Sequence, residues 1–266
     1  MMATNTVEAV SGVQARVDAV QAFIFHHIAD SRSLKLPHST IELPPYITLH
    51  GLMLAMAILV LAILCGVGYR RKSRVPTGLS NALEAFVAFI RDKIAVPYLG
   101  LQDGRQMTPF FCSLFFFILT LNLLGLVPCF YSATADLSVT GALAIISLAF
   151  MIGGGIWRLG PVGFVKSFAP HGVPWPVLIL LVPIEIIGLF IKAFALAVRL
   201  FANELAGHIV VYFMLGLLIV FGLAALPFFF MGVLIYMLEV GVAFLQAYIF
   251  TLLSAVFIGQ RLRPEH

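Results

Sequence analysis

Glu185, Lys192 and Arg199 recur at seven-residue intervals in an otherwise apolar stretch. Seven steps of ~100° return a helical side chain to within ~20° of its starting direction, so the three share one face. At ~1.5 Å per residue this polar stripe is ~21 Å long. An ionised group at the centre of a membrane helix costs roughly 2.5–3.5 kcal/mol on insertion scales and demands a partner or a wet cavity. Further along come Asn203, Glu204 and His208, and beyond a break at 222–227 come Glu239 and Gln246. Folding the two segments antiparallel about residue 223 sets Arg199 level with Gln246, His208 with Glu239, and Glu185 with Arg261. The chemistry this suits is proton transfer. A guanidinium is too basic to relay protons, but its fixed charge forces a passing carboxylic acid to ionise. Carboxyls and an imidazole can pass protons on. The residues thus describe a path with titratable groups on both sides of a permanently charged barrier.

Blander readings accompany each residue. An Arg199–Glu185 ion pair is opposed by their ~21 Å separation along one helix. Lys192 either lines the groove or snorkels toward the interface. Gln246 also fits an interhelical hydrogen bond. Glu204, one turn before His208, reads either as an extra relay carboxylate or as a partner-paired charge with no essential task.

The elements that must position these groups are apolar helices. The chain is 61% hydrophobic and 11% charged with mean hydropathy +1.06, against roughly 25% charged in soluble domains. The expected fold is an all-α integral membrane protein with about five transmembrane helices and one interfacial amphipathic helix, the last two segments being antiparallel. The expected spans are 47–68, 107–131, 137–157, 174–222 and 227–260, since each is long enough for the ~20 residues that cross a bilayer. Whether 174–222 is one helix or two stays open. Residues 80–97 place Leu83, Phe86, Phe89 and Ile90 opposite Glu84, Arg91 and Lys93, as in a helix lying in the interface. Residues 1–45 form a polar external arm preceding the membrane domain 46–266, and they lack a secretory-signal pattern.

Lysine and arginine set the orientation. With five crossings, segments 69–105, 158–171 and the carboxyl tail on one side hold seven, two and two of them. The other side holds three (Arg16, Arg32, Lys35) in the arm and none in its two turns. The amino terminus is therefore expected outside and the carboxyl terminus in the cytoplasm. The positive net charge follows from this topology and does not call for nucleic acid. Cys65, Cys112 and Cys129 lack metal-ligand spacing, adjacent His26 and His27 diverge on a helix, and no metal or cofactor is expected. The Phe-rich run 110–117 reads as packing or lipid-facing surface, and Asp136 as a cap for the helix after it.

Residues 195–208, ALAVRLFANELAGH, resemble the [S/A]LxxRLxxNxxAGx signature of the F-type ATP synthase a-subunit family, bacterial type. The similarity continues through 238–253, LEVGVAFLQAYIFTLL, and covers roughly residues 45–260. The resemblance implies a non-catalytic, proton-translocating stator subunit of the F0 sector, whose last two helices, long, tilted and antiparallel, face a ring of c-subunits. The b-subunit peripheral stalk and the rest of the F1F0 complex are its other partners. On this resemblance Arg199 matches the essential arginine separating two aqueous half-channels. Asn203 matches its neighbour, Gln246 the amide on the last helix, and His208 with Glu239 a pair that occurs in either order. Glu204 stands where relatives more often have an apolar residue. The arm, with FHHIADS at 25–31, favours a bacterial plasma membrane over the mitochondrial inner membrane. The rival class is a secondary ion-coupled transporter, which predicts internal repeats that this chain does not show. HExxH, GxSxG and P-loop patterns are absent, which leaves ATP chemistry to partner subunits.

Overall fold

The computed structural model describes residues 33–36, 39–42, 48–68, 78–127, 130–168 and 174–262, with positions 14, 15, 17, 18 and 22. His26, His27, the basic run 70–74, Pro76, Cys129 and the tail from 263 lie outside the described residues. Helices dominate. A two-stranded antiparallel hairpin, β1 (Ser33–Leu36) and β2 (Ser39–Glu42), pairs Ser33 with Glu42 and Leu36 with Ser39, an addition within the arm that the sequence reading did not contain.

Helix α1 (Leu49–Gly68) is uninterrupted by charge. Helix α2 (Leu79–Phe89) passes into a π-helical turn, Ile90–Ala95, and then into a short helix α3 (Val96–Leu99). Pro97 lacks the N–H that would bond the Lys93 carbonyl, and the widened turn lies immediately before it. On this turn Arg91 donates two hydrogen bonds to Asp92, at 2.7 and 3.0 Å. They hold the Asp92 carboxyl below its usual range. Both groups are solvent-exposed, so the pair adds little stability. Helix α4 (Leu101–Leu126) starts earlier than the sequence reading of 107. The charged residues of its first turns suggested a loop. They are helical, with Gly104 N–H donating to Gly100 O at 2.9 Å, and Gly104 seats directly on the backbone of Ala95 and Val96, where a Cβ would come within 2.8 Å.

Helix α5 (Leu137–Lys166) contains a break at Gly160, whose φ of 72° and ψ of 166° leave the helical region ahead of Pro161. Helix α6 (Trp175–Phe221) has 47 residues and resolves the open question in favour of one continuous helix, with Pro183 accommodated inside it. A 3-10 turn, Gly222–Ala225, leads to α7 (Leu226–Leu262) of 37 residues. At ~1.5 Å per residue α6 is ~70 Å long, far more than a ~30 Å hydrocarbon core, so it must tilt or extend beyond that core.

Five helices are long and apolar enough to cross a membrane: Leu49–Gly66, Leu101–Leu126, Leu137–Trp157, Pro176–Leu218 and Leu226–Gln260. Half of the α4 window is buried within the chain, against 11% for α6 and for α7, so most of the surface of these last two helices must be covered by lipid or a partner. The chain divides into two compact units. One comprises Met1–Met56, Leu121–Asp136 and Phe201–Phe244, the other Ala57–Thr120, Leu137–Leu200 and Leu245–His266. The first buries Leu49, Met53, Leu121 and Leu126, and the second Ile90, Ile94, Phe111, Ile118, Phe250 and Ile258.

Candidate functional site

The first unit gathers the polar groups of three segments: the end of α4 with residues 130–136, α6 from 201, and α7 to 244. A helix leaves its last four carbonyls without intrahelical partners. Two such carbonyls at the end of α4 are met by side chains from the last two helices. His208 Nε2 lies 3.1 Å from Gly125 O, and the Tyr236 hydroxyl donates to Leu126 O at 2.5 Å. The other ring nitrogen, His208 Nδ1, lies 3.0 Å from Glu204 O, one turn back on α6. A carbonyl only accepts, so both bonds are complete only while each ring nitrogen carries a hydrogen.

Two carboxyls flank the imidazole. Glu204 Oε1 is 3.8 Å from His208 Nδ1 and accepts a 2.8 Å hydrogen bond from the Ser132 hydroxyl. Ser132 Oγ is also 3.4 Å from Thr134 Oγ1. Glu239 reaches across from α7 to pack its carboxyl directly against Gly207, where any Cβ would overlap Oε1. That oxygen is buried with no hydrogen-bond partner among the described residues. Gly125 has a matching role, because a Cβ there would come within 2.8 Å of Ser132 Oγ and 2.9 Å of Glu204 Oε1. The two glycines are what let three helices bring their polar atoms to one place.

His208 and Glu239 line two cavities at once, each of about 250 Å³. The first is formed with Tyr212, Leu215, Phe229 and Tyr236, on the side of the 222–225 turn. The second is formed with Asn203, Glu204, Val242 and Ala243, residues nearer in sequence to Arg199 and Gln246. Either has room for several waters.

The second unit holds the other candidates. Arg199 is exposed on α6, and no described residue accepts a hydrogen bond from it or pairs with its charge. Gln246 is buried on α7, with Nε2 lacking a hydrogen-bond partner among the described residues. Lys192 donates to Gln260 Oε1 at 2.9 Å and lies 5.3 Å from the Phe257 ring centre, so its ammonium is turned toward α7. Glu185 is half-buried.

Four residues that sequence reasoning passed over belong to the first unit. Ser132 and Tyr236 supply the contacts above. His50, buried in the first turn of α1, bonds through Nδ1 to Asp136 Oδ2 at 3.2 Å, giving Asp136 a partner beyond its expected capping role. Asn122 is almost wholly buried and both its amide atoms lack hydrogen-bond partners among the described residues. A polar residue inside the 101–126 span was the available signal for Asn122. Nothing in spacing signals the contact between Ser132 and Glu204.

The family described as "ATP synthase A chain" matches residues 51–259, a stretch that includes all of these groups except His50 and Gln260. The chain belongs to the ATP synthase A chain family. Among similar proteins named ATP synthase subunit a, that of Myxococcus xanthus is 43% identical over 230 residues, covering 83% of this chain and 74% of the relative. That of Chloroherpeton thalassium is 42% identical over 260 residues, with 90% and 76% covered. That of Anaeromyxobacter sp. (strain Fw109-5) is 41% identical over 242 residues, covering 88% of this chain but only 58% of the relative. The chain therefore spans little more than half the length of some relatives and about three quarters of others. Its five apolar helices and these bacterial relatives make this member of the ATP synthase A chain family a multi-pass membrane protein of bacterial type.

Proposed function

We propose that the chain is the proton-conducting stator subunit a of the F0 sector of an ATP synthase, and that it contributes no ATP chemistry of its own. The observation that carries this reading is Arg199: an exposed arginine without a partner among the described residues, on a long apolar helix inside the family match. Such a charge is costly in a membrane unless something outside the chain completes it. A carboxylate on a rotating ring of c-subunits is the complement, and the sparsely buried α6 and α7 provide the surface for that ring. The b-subunit stalk and the F1 sector complete the complex.

Protons enter from the outer side through the cavity at His208 and Glu239, continue past Glu204 and Asn203, and reach the ring carboxylate. On the inner side they leave past Glu185 and Lys192. Arg199 holds the passing carboxyl ionised and prevents direct leakage between the two half-channels, with Gln246 positioned to hydrogen-bond at its level. The arm of residues 1–45 lies outside, the interfacial helix and the carboxyl terminus on the cytoplasmic side, in a bacterial plasma membrane.

Arg199→Ala in the assembled complex tests this in inverted membrane vesicles, with ATP-driven pumping and passive proton leak measured separately. Pumping is expected to vanish while leak through F0 rises. Retained coupled pumping overturns the reading.

A further inference from the structure

His208 and Glu239 stand between two cavities, and Glu204 lines only one of them, together with Asn203. Along α6, Glu204 comes between His208 and Arg199. We propose that Glu204 is the last proton-holding group on the outer route, downstream of the His208–Glu239 pair, and that Ser132 is the positioning residue holding its carboxyl there. The inference rests on the proton-path reading above and gives Glu204 a proton-holding task within it.

Both protonation states of Glu204 have their hydrogen bonds provided. Ionised, its Oε1 accepts from Ser132 at 2.8 Å. Protonated, it can donate to Ser132 Oγ, and the Ser132 hydroxyl can turn toward Thr134 Oγ1, 3.4 Å away. A carboxyl serving only as counter-ion to His208 would need one of these arrangements, whereas a site that loads and unloads needs both. The charged groups facing it are His208 on its own helix and Glu239 on α7; Ser132 and Thr134 face it from 130–136. Gly125 keeps the space open, since a Cβ there would crowd Ser132 Oγ and Glu204 Oε1 together.

In the loading step an N–H bond of His208 or an O–H bond of Glu239 breaks, and an O–H bond forms on ionised Glu204, directly or through water in the Asn203 cavity. In the unloading step that O–H bond breaks as the proton passes to the ring carboxylate, and Glu204 returns to accepting from Ser132. No electrons are exchanged.

The test uses Glu204→Gln, Glu204→Asp and Ser132→Ala in the whole complex. ATP synthesis and ATP-driven pumping are followed between about pH 6 and pH 9, with assembly checked by retention of F1 on the membrane. Glutamine keeps the size and the Ser132 contact but cannot exchange a proton, so turnover is expected to fall at least roughly tenfold. Aspartate is expected to recover most of the rate with a displaced pH–rate profile. Ser132→Ala should displace that profile while lowering the optimum rate by less than about threefold. Wild-type turnover of Glu204→Gln at every pH, in membranes where Arg199→Ala is uncoupled, overturns this inference and leaves the path reading standing. Coupled pumping by Arg199→Ala would instead remove the path reading itself. Should the Gln variant fail to assemble, the Asp variant decides, a profile superimposable on wild type overturning the inference. An unmoved profile for Ser132→Ala removes its positioning role.

Discussion

The polar groups in the two halves of α6 are set in opposite ways. From 201 onward the groups are enclosed: Glu204 and His208 are buried, hydrogen-bonded to the end of α4 and to Ser132, and flanked by cavities. From 185 to 199 they are open: Glu185 and Lys192 are half-buried and Arg199 is exposed. Enclosure suits groups that must hold a proton at a defined place, because a fixed hydrogen-bond frame selects which atom carries it. Openness suits a charge whose partner is another subunit. The enclosed half should therefore be intolerant of shape and charge changes at its own residues, and the open half sensitive chiefly at Arg199.

The sharpest test of that contrast is steric. Gly207→Val places a side chain where the Glu239 carboxyl sits, and overpacking of this kind typically costs 1–3 kcal/mol. Because it also displaces a titrating group, proton flux should fall by roughly two orders of magnitude. Gly188 on the open half has nothing within 4 Å of a built Cβ. Gly188→Ala should leave flux within about twofold, apart from any gain in helix propensity. Equal losses in pumping assays on the two variants would abolish the distinction between the halves.

Next in size is the coupling between His208 and Glu239. Each single substitution, His208→Ala or Glu239→Gln, should lower ATP synthesis by roughly 10²-fold. The double variant should be little worse than either, since groups that act as a unit are non-additive. Multiplicative losses would show two independent steps in place of one shared site.

Several of these features were legible in the residues. Seven-residue spacing and the break near 223 were enough to separate a stripe on α6 from its partners on α7, charge-free runs marked the first three spanning-length helices, and the last two were legible as apolar stretches interrupted by single charges. What escaped was whatever depends on segments distant in the chain. Ser132 and Glu204 are 72 residues apart, His208 and Gly125 83, and Tyr236 and Leu126 110. No periodicity encodes which backbone carbonyl a side chain will meet. The early start of α4 was missed because the expected span begins after the charges at Asp103 and Arg105, whereas the helix runs through them from Leu101.

Lys192→Met carries the comparison into the open half. The substitution keeps the stem that packs near Phe257 and removes the donor to Gln260. On the proposed exit path Lys192 would shape the field without holding the proton, so turnover should change by less than about threefold. A tenfold loss with normal assembly would mean that the open half is as demanding as the enclosed one.

The smallest effect belongs to the enclosed half and separates framing from proton handling. Tyr236→Phe deletes the hydroxyl that satisfies the Leu126 carbonyl while preserving the ring that lines the cavity with Tyr212 and Phe229. Loss of one hydrogen bond whose acceptor can turn to water costs about 1 kcal/mol. The subunit should lose a few degrees of thermal stability in detergent while pumping stays within about twofold, because His208 keeps its own bond to Gly125 and with it the orientation of the ring. A large loss of pumping at unchanged stability would instead place the Tyr236 hydroxyl among the groups that pass the proton.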